Sequence, residues 1–137
     1  LHPETQRSWP PIPPGILRLW ADLAKYPHPP EACLINLYDP RARMGLHRDA
    51  DEEDFRAPVL SVSLGDDCLF RIGGNERSGR TRSFRLKSGD VVLLEGESRL
   101  AFHGVDRIYA DTDPLVSDAF PGLARINLTL RRVTMPG

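Results

Sequence analysis

The sequence predicts a mainly β domain in which two antiparallel sheets stack on each other and one helix covers them. The chain has 137 residues, the size of one compact domain with a real core. Beyond Pro30, short apolar or alternating runs are separated by Gly, Pro and Asp, at the spacing typical of an all-β sandwich or barrel. A single amphipathic helical stripe precedes these runs.

The predicted helix begins at Pro14, because proline is favoured in the first helical turn, and it ends before Tyr26 and Pro27. Trp20 lies on its apolar stripe, so we expect this side chain in the core. The proline-rich residues 1–14 are expected to form an extended arm. We place strands over residues 32–38, 59–64, 68–72, 82–86, 90–94, 102–106 and 124–133.

Composition excludes several classes of protein. The chain is 40% hydrophobic and 27% charged, which is globular, and no apolar run approaches the ~20 residues of a membrane span. Cys33 and Cys68 lack a Cys-x-x-Cys spacing, so neither a disulfide framework nor a zinc site is indicated. We therefore expect a cytoplasmic protein. Because the first residue is Leu1, we expect a fragment whose N-terminal segment is missing.

A net charge of −1 conceals an uneven distribution of charge. Residues 71–87 contain six basic side chains and one acid, on a predicted hairpin. Such a hairpin could contact phosphates, although a charged run is also typical of an ordinary solvated face. Residues 111–121 are rich in acid and proline, and we expect a solvated loop there.

His47 and Asp49 are two residues apart, so both point to the same face of an extended segment. The pattern alone is equally typical of a surface loop. His103, followed by glycine in a half-apolar strand, is a candidate third ligand or a hydrogen-bonded core histidine. Two histidines and one carboxylate would form the facial triad that leaves three positions open on Fe(II).

The last predicted strand has one apolar and one polar face. The polar face carries Arg125, Asn127, Thr129 and Arg131. Such a face usually points to water, but two arginines and an asparagine in a row also offer donors for a dicarboxylate. If this face and the polar face of the first strand line one cavity, they form a pocket for a small acid beside the metal.

These motifs, in this order, resemble the AlkB family of Fe(II)/2-oxoglutarate-dependent dioxygenases. The resemblance runs from about Trp9 to Arg131. It rests on the following motifs: Asn36-x-Tyr38, His47-x-Asp49-x-Asp51, Ser61-Val-Ser-Leu-Gly65, Ser88-Gly-Asp90, Gly96-Glu-Ser-Arg99, His103-Gly104 and Arg125-x-Asn127-x-Thr129-x-Arg131.

The resemblance implies a fold and a set of ligands. The fold would be a double-stranded β-helix (jelly roll), with residues 1–137 forming one catalytic domain that lacks its N-terminal substrate lid. Iron would be held by His47, Asp49 and His103. Arg125, assisted by Asn36 and Tyr38, would bind the distal carboxylate of 2-oxoglutarate. Asn127 and Arg131 would serve the co-substrate's end near the metal, and O₂ would complete the reaction.

The implied function is oxidative dealkylation of N-methylated bases in DNA, such as 1-methyladenine and 3-methylcytosine, with release of formaldehyde, succinate and CO₂. Asp51 would contact the base, Arg77 would help hold the substrate, and His47 would form a wall against the flipped base. We expect a monomer whose partner is nucleic acid, preferably single-stranded DNA. We expect no membrane partner. The alternatives are the same chemistry on RNA, protein or a small molecule, and a non-catalytic β-domain that binds nucleic acid.

Overall fold

The structure is a computed structural model that describes residues 11–50 and 55–132. The helices are α1 (Pro14–Leu23) and α2 (Pro114–Ala119), with a 3₁₀ turn at Gly96–Ser98. The strands are β1 (Ala32–Tyr38), β2 (Met44–His47), β3 (Val59–Gly65), β4 (Asp67–Ile72), β5 (Arg82–Leu86), β6 (Val91–Leu94), β7 (His103–Tyr109) and β8 (Arg125–Arg131).

The strands form two antiparallel sheets of four. The first sheet has the order β1-β8-β3-β6 and the second has the order β2-β7-β4-β5. Because the chain crosses between the sheets after almost every strand, the architecture is a jelly roll, as predicted. The polar face of β8 lies across from that of β1, where Asn36 pairs with Asn127 and Tyr38 pairs with Arg125.

Two apolar layers fill the domain. Between the sheets, Phe70, Val105 and Ile108 pack with Tyr38. On the outer face of the first sheet, Trp20 of α1 is 2% exposed and packs with a second apolar group, which contains Leu60, Val62 and Leu130. The predictions for α1 and its tryptophan are therefore confirmed, and the inner layer leaves room for a cavity. Neither helix within residues 11–50 and 55–132 is long and apolar enough to span a bilayer.

The structure corrects two expectations from the sequence. Residues 44–47 form a strand, β2, that the sequence did not predict. The region 111–121 is not a solvated loop, because it contains α2, whose Val116 is 3% exposed. The turn before α2 is held at the β3–β4 corner, where the Asp66 carboxylate accepts from the N–H of Thr112 and the N–H of Asp67 donates to the Thr112 hydroxyl. Most of the expected extended arm, residues 1–14, lies outside the described residues. Asp51 also lies outside them.

Candidate iron and 2-oxoglutarate site

Two histidines meet where β2 ends and β7 begins. His47 and His103 are direct partners in the antiparallel pairing of these strands, and their ring centroids lie 4.4 Å apart. Opposite positions in an antiparallel pair place both side chains on the same face of the sheet. Here that face is the interior of the jelly roll, and both rings line its cavity.

Asp49 completes the cluster from the loop that follows β2. Its Oδ2 lies 3.4 Å from Nε2 of His103. One ligand atom from each of His47, Asp49 and His103 lies within 4.8 Å of the others. The structure therefore brings together the three residues that the sequence singled out.

Backbone carbonyls orient both imidazoles. Nδ1 of His47 lies 3.0 Å from the carbonyl oxygen of Gly45, and Nδ1 of His103 lies 3.0 Å from that of Ala101. Because a carbonyl oxygen can only accept, each Nδ1 carries the proton and donates it. The lone pair of Nε2 is then available to a metal, which is the usual arrangement of metal-binding histidines.

Two arginines fix Asp49. Nη2 of Arg131 donates to its Oδ1 at 2.8 Å, and Nη1 of Arg99 donates to its backbone oxygen at 2.6 Å. Burial alone would raise the pKa of Asp49, but its polar contact with His103 and the charge of Arg131 outweigh burial and hold that pKa below its usual value. Asp49 is thus ionised at neutral pH and offers an anionic oxygen to a metal.

A cavity of about 170 Å³ extends from these ligands between the two sheets. Arg125 lines it and is only 1% exposed. Its Nη2 donates to Oγ of Ser63 at 2.8 Å and its Nη1 to the backbone oxygen of Asp66 at 3.2 Å, whereas its buried Nε has no hydrogen-bond partner among the described residues. No carboxylate of the described segments forms an ion pair with Arg125. An uncompensated buried cation is costly, so this position fits a bound anion.

Other polar groups line the cavity near Arg125. Asn36 lies beside Asn127, whose Nδ2 donates to Ser61 at 2.6 Å. The hydroxyl of Tyr38 donates to a weak acceptor, the sulfur of Met44, at 3.8 Å. Burial chiefly raises the pKa of Tyr38, which keeps its hydroxyl protonated and able to donate. These groups offer several donors to a small acid.

Arg77 lies at the edge of this site. Its Nη1 donates to the carbonyl oxygen of Leu46 at 2.8 Å, and its guanidinium lies 4.9 Å from the ring centre of Phe102. Arg48 approaches the same ring at 5.2 Å. Leu46 and Phe102 directly precede His47 and His103 in the chain, so both arginines are held beside the candidate metal site.

Sequence reasoning missed the role of two contacts. Arg99 ends the motif Gly96-Glu-Ser-Arg99. No pattern in the sequence indicated that Arg99 would be 2% exposed and would donate to the backbone oxygen of Asp49. Arg131 was expected near the metal, and it reaches Asp49 itself. The alternation along β3 could have indicated that Ser61 and Ser63 share a face with Val59. Val59 and Ser61 line the cavity, and Ser63 accepts a hydrogen bond from Arg125.

The donor set fits Fe(II). In the part of the chain that the structure describes, the cluster holds two imidazoles and one carboxylate with no fourth His, Cys, Asp or Glu. A structural zinc site would normally close with a fourth protein ligand, whereas the two-histidine, one-carboxylate set leaves open positions on iron. An adjoining cavity with a buried arginine that has no carboxylate partner among residues 11–50 and 55–132 suits a co-substrate that chelates the metal and carries a second carboxylate.

Comparison with known proteins identifies the family. A model of the 2OG-Fe(II) oxygenase superfamily matches residues 1–131. The chain belongs to this superfamily, and within it to the AlkB family. It is 60% identical over 131 residues to an alpha-ketoglutarate-dependent dioxygenase AlkB homolog of Caulobacter vibrioides, covering 96% of this chain and 58% of that protein. It is 43% identical over 136 residues to alpha-ketoglutarate-dependent dioxygenase AlkB of Escherichia coli, covering 96% and 61%.

A solved AlkB-family structure shares the fold. The structure of OsALKBH1 superposes with a TM-score of 0.76 at 35% identity, covering 90% of this chain and 67% of that one. Fe(II) and 2-oxoglutarate are the cofactor and co-substrate of the superfamily to which the chain belongs. The chain spans about three fifths of the length of the curated AlkB proteins that it matches.

Proposed function

We propose that this protein catalyses Fe(II)- and 2-oxoglutarate-dependent oxidative dealkylation of N-methylated bases in DNA, of the 1-methyladenine and 3-methylcytosine type. The products are formaldehyde, succinate, CO₂ and the repaired base. The supporting observation is the cluster of three potential ligand atoms within 4.8 Å, which opens onto a cavity lined by the buried Arg125. Within the residues that the structure describes, Arg125 forms no ion pair.

In this proposal His47, Asp49 and His103 hold the iron. When bound, Fe(II) and 2-oxoglutarate supply the oxidising chemistry that activates O₂ and hydroxylates the N-methyl group. The protein positions the reactants and excludes water. Arg131 and Arg99 keep the Asp49 carboxylate and backbone in place, because each donates a short hydrogen bond to it.

The co-substrate would lie along β1 and β8. Arg125 would pair with the distal carboxylate of 2-oxoglutarate, and Asn36 and Tyr38 would add donors beside it. Asn127 and Arg131 would serve the end near the metal. Support comes from the cavity, which is continuous from the histidine ligands to Arg125.

The substrate would enter beside His47, which would form one wall against a flipped-out base. Asp51 would contact the exocyclic amino group of that base. In the basic segment 71–87, Arg71 forms an ion pair with Asp106, and Arg85 forms one with Asp67. The remaining cations of the segment are exposed and would contact phosphates: Arg77, Arg80, Arg82 and Lys87. A single strand suits the reaction, because an unpaired base costs little to extrude. We propose a monomer that acts in the cytoplasm.

RNA is the second candidate substrate. Among the AlkB relatives, one is named a tRNA demethylase and another a DNA N(6)-methyladenine demethylase. Phosphate contacts from the basic segment do not distinguish the two nucleic acids. The same chemistry on a protein or a small molecule would leave this basic segment without a role.

The proposal is tested by incubating the protein with Fe(II), 2-oxoglutarate, O₂ and a single-stranded oligonucleotide that carries one 3-methylcytosine. We expect formaldehyde and succinate in equal amounts, and unmodified cytosine in the product. The unmethylated oligonucleotide is the control, and methylated RNA and methylated peptide serve as competitors. Oligonucleotide binding without formaldehyde, and insensitive to chelators, would instead support a non-catalytic binding domain.

Replacing Arg77 with alanine should weaken oligonucleotide binding about threefold at low salt and less at high salt, because phosphate contacts are screened by ions. Fluorescence anisotropy at two ionic strengths measures this. Arg85→Ala is the matched control, since it removes the same charge from the same segment, but that charge is already balanced by the Asp67 carboxylate at 2.8 Å. An equal effect of the two variants would argue against a specific phosphate contact at Arg77.

A further inference from the structure

Asp66 joins the segment before α2 to the β3–β4 corner. Its side chain is buried, with 3% of the residue exposed. Its carboxylate accepts hydrogen bonds from three successive backbone N–H groups, those of Asp111 at 3.1 Å, Thr112 at 3.1 Å and Asp113 at 2.8 Å. These bonds hold the beginning of the 111–121 segment tightly against residue 66.

The backbone of the same residue holds the buried arginine of the cavity. The carbonyl oxygen of Asp66 accepts from Nη1 of Arg125 at 3.2 Å, and its N–H donates to the carbonyl oxygen of Ala124 at 2.9 Å. Asp66 therefore binds the backbone of residues 111–113 through its carboxylate. Through its own backbone it binds Ala124 and the side chain of Arg125.

The surrounding packing leaves this corner little freedom. A Cβ at Gly65, where φ is +91°, would lie 2.6 Å from the carbonyl oxygen of Ala124 and 2.7 Å from Cγ2 of Val116 in α2. The hydroxyl of Thr112 accepts from the N–H of Asp67 and donates to the carbonyl of Tyr109, each at 2.7 Å. Helix α2 thus packs directly behind the residue that holds Arg125.

We propose that Asp66 is a positioning residue for 2-oxoglutarate: by anchoring the 111–113 backbone, it fixes its own carbonyl oxygen and so the orientation of the Arg125 guanidinium toward the co-substrate's distal carboxylate. The inference rests on the role proposed above for Arg125. It also gives the 111–121 segment a function, as a brace behind the co-substrate pocket.

The physical basis is the planar geometry of the guanidinium group. Two of its nitrogens are held by Ser63 and by the Asp66 carbonyl, which fixes the plane and leaves Nε buried without a partner. If the Asp66 carbonyl shifts, the plane tilts and the fit to a carboxylate is lost. The iron ligands are fixed by other contacts, so only binding of the distal carboxylate should suffer.

The test compares two 2-oxo acids. 2-Oxoglutarate and 2-oxobutanoate share the chelating end, but only the former has a distal carboxylate. Each is titrated calorimetrically, without oxygen, into the Fe(II)-loaded protein and its Asp66→Asn variant. We expect the variant to bind 2-oxoglutarate about five- to tenfold more weakly and 2-oxobutanoate within about twofold of the unmodified protein. In turnover, KM for 2-oxoglutarate should rise with kcat almost unchanged.

Asp67→Asn is the matched control, because its carboxylate pairs with Arg85 and not with the 111–113 backbone. It should leave both affinities unchanged. If Asp66→Asn does not fold, Thr112→Ala loosens the same segment and should weaken 2-oxoglutarate binding in the same selective way. Equal weakening of both acids, or no weakening in a folded variant, would overturn the inference.

Arg125→Met separates this inference from the proposal on which it rests. If Arg125→Met weakens 2-oxoglutarate selectively and Asp66→Asn does not, only the role of Asp66 fails. If Arg125→Met leaves 2-oxoglutarate binding unchanged, the role of Arg125 fails as well.

Discussion

Replacing His103 with alanine is expected to lower formaldehyde release from the methylated oligonucleotide by more than about 100-fold. Even outer partners of metal ligands cost 10- to 100-fold when they are removed, and a direct ligand contributes more. The variant also deprives Asp49 of its partner at 3.4 Å, which weakens the remaining two-ligand site further. Anaerobic titration with Fe(II) and 2-oxoglutarate should show no charge-transfer absorbance in the variant.

His28→Ala provides the control for this experiment. The His28 ring packs edge-on to Tyr26, with the ring centroids 5.8 Å apart, and it is not part of the metal cluster. This variant should therefore keep both the absorbance band and the formaldehyde yield. Activity close to the unmodified level in a folded His103→Ala protein would eliminate His103 as an iron ligand.

Gly104→Ala is expected to be the most damaging single-methyl change near the site. A Cβ at this position would lie 2.5 Å from the carbonyl oxygen of Met44 and 3.0 Å from that of Gly45. Both contacts are backbone atoms of β2, so the strand itself must move. We expect a loss of about 1–3 kcal/mol in the free energy of unfolding, measured by denaturant titration.

The same change should weaken iron binding, because β2 and β7 carry His47 and His103 as facing partners. Gly45→Ala tests this explanation, since a Cβ there meets nothing within 4 Å. That variant should unfold at the same denaturant concentration as the unmodified protein. If both glycine variants behaved alike, close approach of the two backbones would not be the cause.

Sequence patterns predicted most of the strands because their polar and apolar residues alternate. Strands β1 and β5 have the predicted bounds, and β7 extends three residues past its prediction. Strand β2 was missed because it has only four residues, one of them a glycine, and is defined by pairing with β7 rather than by its own pattern. Local propensity carries no information about a partner that lies about 60 residues away.

The site was predictable in its residue types but not in its internal contacts. Spacing and family resemblance selected the candidate iron ligands, and the parity of β8 placed Arg125 and Asn127 on one face. Nothing local indicates that Arg131 reaches Asp49, 82 residues away. Asp66 follows a glycine as in an ordinary surface turn, and its burial depends on a segment that returns more than 40 residues later.

The buried guanidinium of Arg125 has a consequence for product release. Oxidative decarboxylation shortens 2-oxoglutarate at its keto-acid end, so succinate keeps the very carboxylate that Arg125 would hold. If Arg125 binds 2-oxoglutarate as proposed, succinate would have to break the same ionic contact in order to leave. Accumulating succinate should compete with 2-oxoglutarate for the pocket. The reaction rate would then depend on the concentration ratio of these two diacids.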